Sequence, residues 1–144
     1  MEARQTLVLG MALALAATVS MSCASTTVPA RSGGAGRMEA LVGMEAVANV
    51  LARQAGKSVL VYHSPRCDFC RSVLESFAAT LPELDARAVV YTVDIDSNPT
   101  VRDTLGIGPV PVVVFLQDGQ EVKRWRVYRC SFLARRGLRS FFAP

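Results

Sequence analysis

Two rhythms of apolar residues run through the chain from Met38 onward, one with the helical period and one nearly unbroken. "MEALV" (Met38 to Val42) has the length of a short edge strand. Val47, Val50, Leu51 and Ala55 recur at helical spacing, and Gly56 closes that helix. "SVLVYH" (Ser58 to His63) is a largely apolar run, as in strands buried on both faces. Val73, Leu74, Phe77, Ala78 and Leu81 then follow in i, i+3, i+4 steps and predict a helix beginning near Cys67. "AVVYTVDI" (Ala88 to Ile95) is a second buried strand. Asn98 and Pro99 are an N-cap and first helical residue for a short helix. "VPVVVFL" (Val110 to Leu116) is a third strand, and Asp118-Gly119 turns it back as a hairpin. In the return strand, "EVKRWRVYR", Trp125 and Val127 alternate with Arg124 and Arg126, and Val122 falls out of step, which predicts a bulge. Ser131 caps a last helix carrying Phe132, Leu133, Leu138, Phe141 and Phe142.

The predicted order is β, α, β, α, β, α, β, β, α, without internal repeats. That order implies an α/β fold: a central mixed sheet of four to five strands with helices on both faces. A length of 144 residues, half of them apolar, suits one domain with one core.

The N-terminal residues do not belong to that pattern. "TLVLGMALALAATVSMS" (Thr6 to Ser22) is an apolar run behind Arg4, whose charge Glu2 offsets, and Ser20, Ser22 and Ala24 offer cleavage points. Residues 1–23 therefore read as a secretory signal peptide, which implies an exported protein, periplasmic or facing the exterior. The run falls short of the about 20 apolar residues of a comfortable membrane span, and an uncleaved anchor is the alternative. Cys23 ends the run, and "ASTTVPARSGGAGR" (residues 24–37) is a flexible linker to a domain at 38–144. This arrangement resembles bacterial lipoprotein precursors, which makes Cys23 a candidate for lipidation, although Ser20 stands where such signals usually carry Leu. Membrane attachment would then run through Cys23 or the apolar segment. The other reading leaves Cys23 idle at the cleavage site.

The net charge of +4 is mild. Lys123, Arg124, Arg126, Arg129, Arg135, Arg136 and Arg139 crowd the C-terminal end, but no aromatic platform or nucleic-acid motif accompanies them, so no nucleic-acid partner is expected. The cluster reads first as a solvated basic face, with contact to anionic lipid or an acidic partner as the alternative.

The chemistry concentrates in "VYHSPRCDFCRS" (Val61 to Ser72). Cys67 and Cys70 admit three uses: a redox couple, half of a metal site, or a structural disulfide. Their placement after a strand and at a helix start favours the first. A thiolate at the first turn is stabilised by the positive end of the helix, so Cys67 is the candidate nucleophile. Cys70, one turn later on the inward face, is the candidate resolving thiol. A zinc site normally needs four ligands, and only His63 and Cys130 are available to join, so no metal and no cofactor is expected.

Over residues 38–144 the sequence resembles the thioredoxin family, on "VLVYHSPRCDFC", "VDIDSNPTVRDTLGIGPVPVVVFLQDG" and the hairpin that follows. The resemblance implies a thiol–disulfide oxidoreductase with a Cys67–Cys70 redox disulfide, acting on disulfide-bearing proteins and exchanging electrons with a partner thiol protein. It implies a cis proline facing the disulfide and pairing with the substrate backbone; the matching residue is Pro111. The departures are equally specific. Val61 stands where the family carries a buried Asp, and Thr92 where that Asp has a Lys partner; water or Asp94 would have to move the proton instead. His63 and Arg66 replace flanking tryptophans, and Asp68-Phe69 replaces Gly-Pro. Arg66 favours the Cys67 thiolate and Asp68 opposes it. His63, the single histidine, is a candidate for tuning or proton transfer. Cys130 is expected to be a free, partly buried thiol, and Tyr128 to narrow the groove beside it. These departures also leave a second reading, a redox-inactive binding module whose disulfide is structural.

Overall fold

The computed structural model describes residues 34–53, 55–126 and 131–144. Five strands form one mixed sheet in the order β1-β3-β2-β4-β5: β1 (Arg37–Ala40), β2 (Lys57–His63), β3 (Val89–Asp94), β4 (Val112–Gln117) and β5 (Gln120–Arg126). β1 and β2 run parallel to β3, whereas β4 is antiparallel to both β2 and β5. Helices α1 (Gly43–Leu51) and α3 (Pro99–Thr104) cover one face, and α2 (Asp68–Thr80) and α4 (Ser131–Phe142) cover the other. The central strands are apolar along their length because both faces are covered.

Strand alternation divides the core into two layers. Leu60, Tyr62, Tyr91 and Val93 face α1 and α3 with Val47, Val50 and Val101. Val59, Val61, Val90 and Val113 face α2 and α4 with Val73, Phe77 and Leu138. Phe115 in this second layer meets the rings of Trp125 and Phe141 edge to face, at centroid distances of 4.7 and 5.0 Å. Gly137 lets α4 lie directly on the Trp125 indole, whose space a Cβ there would invade.

Three local outcomes differ from the pattern-based reading. The first strand begins at Arg37, and Gly36 ahead of it donates its N–H to the carbonyls of Leu81 and Leu84. Helix α1 stops at Leu51, short of Gly56, because the hairpin turn packs against its end: the Asp118 carboxylate accepts from the Gly56 N–H at 2.8 Å, and Asp118 N–H donates to Gly56 O at 2.9 Å. Asp118 and Gly119 both take positive φ (53° and 77°), as a tight hairpin turn requires. Asn98 has the N-cap position of α3, but its side chain makes no cap bond. Instead its buried amide accepts from Gly43 N–H at 2.7 Å and donates to Asp94 O at 2.8 Å, tying the start of α1 to the end of β3.

The bulge is where the broken alternation put it. Phe115 pairs with Lys123 and Leu116 with Glu121, which leaves Val122 as the extra residue of β5. The basic C-terminal cluster is partly neutralised: Arg124 pairs with Glu121, Arg139 with Glu83, and Lys123 lies 4.5 Å over the Trp125 ring.

Candidate redox site

β2 delivers the chain to the sheet edge at His63, and a turn of Ser64, Pro65 and Arg66 leads into α2. Cys67 N–H donates to Ser64 O at 3.1 Å, closing that turn. Cys67 then occupies the N-cap with extended backbone (φ −98°, ψ 102°), and its sulfur accepts from Cys70 N–H at 3.1 Å. A sulfur thus takes the place that a Ser or Asp oxygen usually fills at a helix start. The α2 dipole and this N–H both favour negative charge on Cys67. Cys67 is half-buried, whereas Cys70 is 1% exposed and packs beneath it. Their Cα atoms are 5.2 Å apart and the sulfurs are joined as a disulfide.

The Val110–Pro111 peptide lies across from the pair and is cis. The Cys67 sulfur sits 3.9 Å from Val110 O. Pro111 is buried and directly precedes β4, while Gly108 and Pro109 ahead of it are exposed and Val110 is partly exposed.

The charges beside Cys67 are each claimed by a partner. Arg66 donates from Nε to Asp96 at 3.1 Å, and Asp68 pairs with Arg71 one turn along α2. The opposing influences expected of Arg66 and Asp68 are therefore both blunted, which leaves the helix end and the Cys70 N–H as the fixed favourable terms. Asp96 also accepts from Ser64 Oγ at 2.7 Å, and Ser64 Oγ accepts in turn from Arg66 N–H at 3.2 Å. Hydrogen bonds from Arg66 and Ser64 hold the Asp96 carboxyl below the usual carboxylate range. Neither Ser64 nor Asp96 stood out in the sequence; the available signal was a second acidic residue two places beyond Asp94, where β3 ends beside β2.

Asp94 sits opposite His63 in the β2–β3 register. Its carboxylate accepts from Asp96 N–H at 2.9 Å and Ser97 Oγ at 2.6 Å. Burial opposes its charge, but the bonds from Ser97 and Asp96 outweigh that and lower its pKa. Asp94 is thus held as an anion that closes the loop after β3. Val61, six residues before Cys67, is fully buried and is the register partner of Thr92.

His63 is half-buried, and burial lowers its pKa from 6.5 against the pull of Asp94 and Asp96. The folded state therefore resists a proton that the unfolded chain accepts near pH 6.5. By linkage, stability falls as pH drops below about 6.5 and keeps falling until the folded pKa is passed. His63→Gln should remove that component, so urea midpoints measured at about pH 7.5 and 5.5 should differ less in the variant than in the parent. An equal difference in both would show that His63 contributes nothing to the acid limb.

Among the described residues, no group of three or more His, Cys, Asp or Glu side chains is arranged to hold a metal ion, and no helix is long and apolar enough to cross a membrane. Cys23, Tyr128, Arg129 and Cys130 lie outside the described residues, as does the apolar N-terminal segment.

A strand-to-helix C-x-x-C disulfide facing a cis proline, on a five-stranded mixed sheet with two helices on each face, defines the thioredoxin fold. The Thioredoxin family model matches residues 41–131, and the chain belongs to the thioredoxin family. It is 34% identical over 58 residues to a thioredoxin of Chlamydia trachomatis and 33% identical over 58 residues to one of Chlamydia muridarum. Each match takes in 40% of this chain and 53% of the relative, so the chain spans about half the length of the curated relatives it matches. Among solved structures, the thioredoxin of Malassezia sympodialis superposes with a TM-score of 0.62 at 17% identity, covering 75% of this chain and 93% of that one. The thioredoxin of Fasciola hepatica superposes with a TM-score of 0.61 at 20% identity, covering 72% and 99%.

Proposed function

We propose that the protein is a thiol–disulfide oxidoreductase acting outside the cytoplasm through Cys67 and Cys70. One observation carries this reading: the half-buried Cys67, capping α2 with its sulfur, is bonded to a buried Cys70 opposite the cis Val110–Pro111 peptide. In the reducing direction, the Cys67 thiolate attacks one sulfur of a substrate disulfide. A Cys67–substrate disulfide forms, and the other substrate sulfur leaves as a thiolate that takes a proton from solvent. Cys70 then loses its proton and attacks Cys67, releasing the second substrate thiol. Two electrons pass to the substrate, and a partner thiol protein restores the dithiol. Run backward, the same steps oxidise a substrate dithiol. The substrate backbone lies along the segment before Pro111. With Val61 apolar, water reaching the sulfur pair is the route for the Cys70 proton.

The N-terminal apolar run supports export, and Cys23 or that run supports attachment to a membrane. The buried Val61 and the paired flanking charges favour a second reading, a binding module with a structural disulfide.

Equilibration with glutathione buffers of graded ratio, read by thiol alkylation of Cys67, separates the two. An oxidoreductase should show a midpoint between about −270 and −120 mV, whereas a midpoint below about −300 mV would assign the pair to structure.

A further inference from the structure

Arg66 and Asp96 form an ion pair that the redox chemistry above does not use, and it sits one residue from the proposed nucleophile. Asp96 joins two points of the loop, accepting from Ser64 Oγ at 2.7 Å and from Arg66 Nε at 3.1 Å, and Ser64 in turn holds Cys67, whose N–H donates to Ser64 O at 3.1 Å. Ser64 is buried, so its hydroxyl must be satisfied inside the protein, and Asp96 is the acceptor that satisfies it. The Arg66 side chain is largely exposed, and this bond to Asp96 fixes its direction.

We propose that Asp96 is a positioning residue that sets the nucleophilicity of Cys67, by fixing the Ser64–Cys67 turn and by withholding the Arg66 charge from the sulfur. This rests on the reading of Cys67 as the nucleophile. An arginine next to a thiolate stabilises it; the same arginine closed onto a carboxylate presents a compensated pair. The other charges facing this corner do not replace Asp96. Asp94 is engaged by Ser97 and Asp96 N–H, burial lowers the His63 pKa against the pull of Asp94 and Asp96, Asp68 is paired with Arg71, and Arg102 on α3 is paired with Asp103 while adding a weaker pull on Asp96. Removing the Asp96 charge therefore leaves Arg66 beside Cys67 with only the weaker, unbonded pull of Asp94 to offset it.

The test is the pH dependence of Cys67 alkylation by iodoacetamide in the reduced full-length protein, followed by peptide mass spectrometry. The thiolate sulfur displaces iodide from carbon, so the rate tracks the thiolate fraction. Asp96→Asn should lower the apparent pKa of Cys67 and raise its rate at about pH 6 by about threefold, a change suited to one charge near a partly solvated sulfur. Arg66→Ala combined with Asp96→Asn should cancel that gain, and Asp96→Glu should restore the parental profile. A parental profile in Asp96→Asn, with only a lower melting temperature, would overturn the proposal and assign Asp96 to structure alone. If Cys67 of the parent reacts no faster than an ordinary thiol peptide, the reading of Cys67 as the nucleophile fails first, and the proposal fails with it.

Discussion

Cys70→Ser protein should accumulate proteins disulfide-linked to Cys67, and Cys67→Ser should accumulate none. The expectation follows from the unequal placement of the two sulfurs. Cys67 is half-buried and open to a partner, whereas Cys70 is 1% exposed and is bonded to Cys67. Resolution is therefore intramolecular and gains the advantage of a held geometry. Against external thiol at millimolar concentration, its loss should slow release on the order of 10³-fold or more. Non-reducing electrophoresis of protein exposed to an oxidised disulfide substrate reads the adducts directly, with turnover of the same substrate measured in parallel. Equal adduct yields from both variants would remove the division of labour between the cysteines.

Phe115→Ala should be among the most destabilising single changes in the domain, at about 3–5 kcal/mol. Phe115 is 1% exposed at the centre of β4 and is the shared partner of Trp125 on β5 and Phe141 on α4. Its loss opens a cavity in the layer under α4 and removes two edge-to-face pairs at once. For a domain of this size, Tm should fall by roughly 10–20 °C. Phe115→Leu, which fills most of the space without the ring pairs, should fall in between. A loss below about 1 kcal/mol, measured by urea unfolding, would show that the two helices hold their face of the sheet without this ring.

Strand and helix order was legible because the inner strands are covered on both faces and their apolar runs are uninterrupted. Val122 gave away the bulge for the same reason: a single residue out of phase is visible where the period is two. The cysteine pair and Pro111 were legible from spacing. The electrostatic setting of Cys67 was not. Arg66 and Asp68 are neighbours of Cys67 in the chain, yet each has turned to a partner, one of them 30 residues away. Asn98 is a similar case: it stands at the N-cap of α3 as its position implies, but its amide satisfies the backbone of two other elements. The Arg66–Asp96 and Asn98–Gly43 bonds join residues far apart in the chain, and no periodicity encodes them.

The bulge at Val122 has a consequence for the molecule's dealings with its own copies. Among the described residues β5 is the last strand of the sheet, and an edge strand is the arrangement on which a second chain can template a further strand. Val122 interrupts the regular repeat of β5 midway, and Lys123, Arg124 and Arg126 follow at once on the same strand. At the far edge, β1 offers only four residues. A broken, cationic border on one side and a stub on the other make the sheet a poor seed for fibril growth, a safeguard against self-assembly carried in a single out-of-phase valine.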